Sequence, residues 1–439
     1  MSDDDRRHGR VAYINAHLID GASGLNAPGE LLTDDRHIAD VGPKLFADGL
    51  PEDAAVVDCA GACLAPGLVD MRAHLREPGA EHKETLASAS RAAAAGGVTS
   101  IACMPNTEPV IDQIALIEFI ARRARETSIV KIYPIAAITR DLEGVELTEI
   151  GLLAEAGAVG FSDAHRTVMN SRVMRRALTY AKPFGKLVMQ HPEDITLTAD
   201  GVMNDGELAT RLGLTGIPAE AEVIIVERDL CLVEHTGAPY HVAHLSTAAA
   251  VDAVRRAKAR GLPVTCATAP HYFTLNESAC EDYRTFAKVQ PPLRSEADRI
   301  AMVEGLADGT IDAIVSDHAP HDQDSKRTTF AQAAFGIIGL ETMLPLALAL
   351  VHGGHMTLPT LFTRLSAAPA RLLGLEQGRL SASAPADLVL FDLNTPWTID
   401  VDRLRSKSLN APYDDHPVQG RVLRTMVRGR TVYDATEKT

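Results

Sequence analysis

The sequence predicts an α/β protein, a (β/α)8 barrel of the TIM type carrying a small β-sandwich domain built from both chain ends. Three observations predict it. Between about residues 66 and 375, short apolar runs alternate eight times with helical stretches, the pattern of a parallel sheet with crossover helices. Outside those limits, short β-type runs separated by Gly, Pro, Asn and Asp follow one another without helices. His and Asp stand at the ends of several of the eight runs, where barrel active sites lie. Residues 1–65 and 376–439 are thus expected to form the two parts of the sandwich domain, with 66–375 as the barrel. An open doubly wound sheet fits less well, because no Gly-rich phosphate turn follows the first run.

Each element has a local reason. Strand one is Gly67 to His74, and its Ala-rich helix, from Lys83, stops at Gly96-Gly97. Strand two, Val98 to Met104, precedes a helix from Gln113 to about Arg125. Strand three covers Val130 to about Ile138, with a helix near Leu147–Ala156. Strand four is Ala158–Ser162, followed by a helix over Ser171–Lys182. Strand five, Leu187–His191, leads to a helix at Ala219–Glu234. Strand six, Tyr240–His244, is followed by a helix from Thr247 to Arg260. Strand seven is Pro263–Ala267, with a later helix near Asp298–Ala307. Strand eight, Ile311–Ser316, precedes a helix at Leu340–Val351. The terminal strands include Val11–Ile14, His37–Val41, Asp387–Phe391 and Arg421–Val427.

Composition narrows the function. With 43 Lys+Arg against 58 Asp+Glu, the 439-residue chain carries a formal charge of −15. That balance argues against neutralising nucleic-acid phosphates, but not against a small anion held in a local basic site. Hydrophobic content of 46% and charged content of 23% are those of a globular chain. The charged N-terminus has no apolar run behind it, and no stretch is long enough to span a bilayer. The six cysteines are scattered, as in a reduced cytoplasmic protein.

Read as strand ends, Arg72 and His74, Asn106, Asp163 and Ala164, His191, His244 and Asp317 converge on the barrel mouth. Imidazoles and a carboxylate arriving from different strands are what a zinc ion requires.

The blocks Asp70-Met-Arg-Ala-His-Leu-Arg-Glu-Pro-Gly79, Met104-Pro-Asn-Thr107, Phe161-Ser-Asp163, His241-Val-Ala-His-Leu-Ser-Thr247, Pro291-Pro-Leu-Arg294 and Ser316-Asp-His-Ala-Pro-His321 resemble the class I dihydroorotases of the metal-dependent amidohydrolase superfamily. The resemblance covers essentially the whole chain, including Gly336-Ile-Ile-Gly-Leu-Glu341. It implies a two-zinc site in which His74, His191, His244 and Asp317 are retained ligands. Two positions depart from it. Arg72 stands where the first His of a His-x-His pair is implied, and Ala164 where a bridging Asp is implied, 27 residues before His191. Residues two apart on a strand share a face, so the permanently charged guanidinium of Arg72 points where an imidazole would bind metal. Without the bridging carboxylate a binuclear site is not expected. The remaining ligands leave one zinc per chain, with Asp163 or His165 beside Ala164 as a substitute ligand.

The resemblance also implies substrate contacts. Arg76 and Asn106 match residues that grip the carboxylate of dihydroorotate, Arg through paired charge-assisted hydrogen bonds. His321, Phe335 and Gly336 match further contacts. Gln290 stands where Asn is usual, extending that amide by a methylene. Asp317 is the expected acid/base for opening the cyclic amide. The polar loop between Pro320 and Phe335 is given no role. The expected function is therefore a dihydroorotase of pyrimidine synthesis with an altered, single-zinc site, cytoplasmic and homo-oligomeric. The alternative is a non-catalytic homologue serving as a structural partner of aspartate carbamoyltransferase. A hydantoinase or allantoinase site implies a carbamylated Lys after strand four, and Asp163-Ala164 supplies none.

Overall fold

The computed structural model describes residues 9–436. In chain order, strands β1 (Arg10–Asp20), β2 (Leu25–Asp34), β3 (His37–Gly42), β4 (Ala54–Asp58) and β5 (Cys63–Pro66) lead into the barrel. Barrel strands β6 (Leu68–Ala73), β7 (Val98–Cys103), β8 (Lys131–Ala136), β9 (Gly160–Phe161) and β10 (Leu187–Gln190) follow. A two-stranded excursion, β11 (Met203–Asn204) with β12 (Gly216–Ile217), precedes β13 (Tyr240–Val242), β14 (Val264–Thr268) and β15 (Ala313–Ile314). The chain closes with β16 (Leu388–Thr398), β17 (Pro417–Val427) and β18 (Arg430–Asp434).

The eight barrel strands lie in the order β6-β7-β8-β9-β10-β13-β14-β15, every ladder parallel. A parallel bridge between Ala73 and His318 closes the ring, with the His74 N–H donating to the His318 carbonyl at 2.8 Å. Asp70 reinforces this seam from within, accepting from the Ser316 amide at 3.0 Å and from the Ser316 hydroxyl. The (β/α)8 architecture is the one the alternation predicts.

Helices begin and end for local reasons. The helix Leu86–Ala95 starts at Thr85, whose hydroxyl accepts from the Ser88 amide in a capping box. It begins later than Lys83, because Thr85 has extended backbone, φ −128°, and caps the first turn. It stops at Gly96, where a Cβ would meet the Leu340 carbonyl oxygen at 2.1 Å, so only Gly fits. The last barrel strand is shorter than expected, because the chain leaves the ladder and reaches a left-handed conformation at Asp317, φ 48°. The β11–β12 pair carries no sequence alternation that would predict it.

Both chain ends share one eight-stranded sheet, ordered β18-β17-β16-β5-β1-β2-β3 with β4 also on β1. The antiparallel pairing of β5 with β16 joins the two ends. Leu18, Leu31, Leu64, Leu388 and Met426 form part of a core of its own, apart from the large core of the barrel. Among the described residues no helix is long and apolar enough to cross a membrane.

Candidate active site

The strand ends on one side of the barrel bring together most of the residues singled out above. Arg72, at the end of β6, is buried and donates from Nε to Asp317 Oδ1 at 2.8 Å. Its Nη1 and Nη2 lie 3.4 Å from the Ala164 carbonyl oxygen. The guanidinium thus bridges the ends of β6, β9 and β15. Ala164 and Asp317 both adopt left-handed backbone, φ 57° and 48°, a conformation retained where surrounding structure enforces it.

Just beyond β10 and β13, His191 Nδ1 lies 3.2 Å from His244 Nε2, and His191 Nε2 lies 2.6 Å from Glu193 Oε2. Gln290 Nε2 donates to both Glu193 oxygens at 2.9 Å. Burial opposes ionisation of Glu193, but its bond to His191, the charge there and Gln290 hold the carboxyl down at about 2. His244 Nδ1 has no hydrogen-bond partner and stands 3.8 Å from Asp317 Oδ1. Burial, then the Arg72 charge, drives the His244 imidazole well below the ordinary histidine range. His271, just beyond β14, points Nε2 toward Asp317 Oδ2 at 3.9 Å, also unpartnered. Burial lowers it to about 4.

The third group lies between β6 and the loop after β15. His74 Nδ1 is 2.7 Å from Asn106 Oδ1. Arg76, at φ 63°, donates from Nε to the Pro320 carbonyl at 3.1 Å, and its Nη2 is 3.3 Å from His321 Nε2. That ring nitrogen lies 2.9 Å from the Phe335 carbonyl oxygen. Burial, then Arg76, lowers His321 to about 3, so the ring is neutral near pH 7. The Gly336 amide donates to the Lys288 carbonyl at 3.0 Å, and its own carbonyl accepts from Asn410. Its backbone groups are therefore already engaged.

These donors fall short of a zinc site. Two nitrogens, His191 Nδ1 and His244 Nε2, stand at a separation a shared zinc tolerates, but a catalytic zinc needs at least three protein ligands. Among the described residues, no three His, Cys, Asp or Glu side chains converge for a metal. Asp317 is taken by Arg72, and His74 by Asn106. A divalent ion about 4 Å from the guanidinium would meet repulsion on the order of 8 kcal/mol at an effective dielectric constant near 20. The residues as arranged do not fit the metal. Nor do the substitute ligands supply a third arm. Asp163 accepts from the Ile138 and Thr139 amides at 2.8 and 2.9 Å and from the Thr139 hydroxyl at 2.5 Å. His165 is exposed.

Sequence reasoning missed Glu193, His271, Lys288 and Lys326. Glu193 had a signal, lying two residues beyond His191. Lys288 and Lys326 had none in a polar stretch, yet both are buried and tie the loop over the mouth. Lys326 Nζ donates to the carbonyls of Ala334 and Lys288, at 2.7 and 3.2 Å. Lys288 Nζ donates to those of Phe330 and Ala331, at 2.8 and 3.0 Å.

Comparisons with known proteins agree with this architecture. Residues 61–250 match the family model described as dihydro-orotase-like. A dihydroorotase of Pelobacter propionicus is 49% identical over 419 residues, covering 95% of this chain and 98% of that protein. One from Wolbachia sp. subsp. Brugia malayi is 47% identical over 429 residues, covering 97% and 96%. Among solved structures, an L-hydantoinase (dihydropyrimidinase) from Arthrobacter aurescens superposes with a TM-score of 0.87 at 26% identity, covering 97% of this chain and 96% of that one. Metal dependence is general in this family and in the amidohydrolases around it. By descent along nearly its whole length, the chain is a cyclic amide hydrolase of the dihydroorotase family.

Proposed function

We propose that the protein opens the six-membered cyclic amide of dihydroorotate reversibly to N-carbamoyl-aspartate, in the cytoplasmic synthesis of pyrimidines. The observation that carries this reading is identity of 46–49% with dihydroorotases over nearly the full length of both partners. The Arg76 group supports the choice of substrate. Arg76 Nη1 makes no hydrogen bond among the described residues, and the side chain stands beside His321. A guanidinium held this way receives a carboxylate through paired charge-assisted hydrogen bonds.

In the hydrolytic direction water adds to the ring carbonyl carbon, the carbon–nitrogen bond breaks, and the nitrogen takes up a proton. Asp317 is the acid/base in this reading, receiving the water proton and returning it to the leaving nitrogen. His244 and His271 stand beside it with free ring nitrogens to hold the water. One zinc per chain does not enter the proposal, since the donors do not make a three-ligand set. A homo-oligomer, with aspartate carbamoyltransferase as a partner, remains an expectation that co-purification would check.

The test is ring opening of dihydroorotate by purified protein, followed by loss of the ring's ultraviolet absorbance, beside an Arg76→Ala control. Turnover in the wild type that collapses in the control is expected. Equal traces from the two proteins would defeat the reading.

A further inference from the structure

The side chains at the mouth are bonded to one another in a closed pattern. Asp317 pairs with Arg72, His191 with His244 and Glu193, and His74 with Asn106. Within that pattern the fixed positive charge is Arg72. It has five N–H donors in a planar fork. Nε is spent on Asp317, and one hydrogen from each Nη faces the Ala164 carbonyl at a long 3.4 Å. Two Nη hydrogens are left over. Ala164 offers the guanidinium only its backbone carbonyl. A carboxylate at 164 would compete with Asp317 for the same charge.

We infer that Arg72 is the resident cation of this site, a guanidinium held by Asp317 and the Ala164 carbonyl that presents its remaining N–H donors to the carbonyl oxygen of a cyclic amide, so that the chain works without a bound metal. Oriented donors aimed at a developing oxyanion are a recognised way to stabilise acyl chemistry. The inference deepens the proposed function and rests on it for the identity of the amide.

The test counts zinc by plasma mass spectrometry in full-length protein made with added zinc and dialysed, and measures N-carbamoyl-aspartate binding by calorimetry with and without chelator. Wild type is expected to hold far less than one zinc per chain and to bind equally well with chelator. The Arg72→His/Ala164→Asp variant is expected to gain at least one zinc. The exchange suits the backbone at 164, since Asp adopts the left-handed conformation more readily than Ala. Arg72→Met should weaken binding about tenfold or more, with Arg72→Lys recovering part of it. Stoichiometric zinc in wild type, lost in His244→Ala, would overturn the inference. So would a folded double variant that stays zinc-free, or Arg72→Met binding like wild type. Absence of ring opening counts against the proposed activity alone, because the zinc count is read independently of turnover.

Discussion

Arg72 Nε and Asp317 Oδ1 lie 2.8 Å apart at the seam where the first and last barrel strands meet, with side chains 4% and 10% exposed. An ion pair this buried is costly to break from one side, because the surviving charge is stranded. Arg72→Met or Asp317→Leu alone should each cost about 3–5 kcal/mol. Replacing both with apolar residues should cost much less than the sum. Urea denaturation of the four proteins reads the coupling. If the single losses simply add, the two side chains are not a pair in solution.

Arg76 gives the second expectation. Its Nε is fixed on the Pro320 carbonyl, so the fork is oriented before ligand arrives. Lys cannot reproduce a bidentate geometry. Arg76→Lys should therefore weaken N-carbamoyl-aspartate binding about 30-fold, some 2 kcal/mol, with the melting temperature little changed. Calorimetry checks this. Undiminished affinity would place the ligand carboxylate elsewhere.

Glu193 is held by two partners, His191 and Gln290. Glu193→Ala would leave both without an acceptor in a buried site, at a cost of about 1–3 kcal/mol. Glu193→Gln keeps the shape and should cost less. Histidine nitrogen shifts in the two variants would show whether Glu193 fixes the proton on His191 Nε2. Identical ring signals in wild type and Glu193→Ala would remove Glu193 from the site.

How legible this was depended on range. The barrel could be read strand by strand because each run is short, apolar and ended by its own turn or cap. Val98–Cys103 and Leu187–Gln190 fall within a residue of the expected strands. The positions of Arg72 and His74 on one face followed from strand periodicity. The partner of Arg72 did not, since Asp317 lies 245 residues away and pairing at that distance leaves no local mark. For the same reason the contact of the Gln290 amide with Glu193 leaves no local mark either. The loop from Pro320 to Phe335 looked like any polar surface loop because burial of Lys326 depends on which carbonyls surround it.

That lysine gives the last expectation, a pH dependence with a definite sign. Burial lowers Lys326 to about 7, and nearby Lys288 adds to the effect. A neutral amine keeps two N–H bonds, enough for the two carbonyls it meets, at 2.7 and 3.2 Å. In the unfolded chain the same amine holds its proton up to about pH 10.4. Between about pH 7 and 10.4 the unfolded state therefore binds more protons, and stability rises with pH. Relative to Lys326→Met, the wild type should gain on the order of 1.4 kcal/mol per pH unit in that window. Urea midpoints of the two proteins at pH 7, 8 and 9 measure the difference. The methionine variant also loses both hydrogen bonds, but that loss is a constant offset and leaves the slope intact. A flat difference would mean that Lys326 stays charged, and the loop over the mouth would then be held by an ammonium ion.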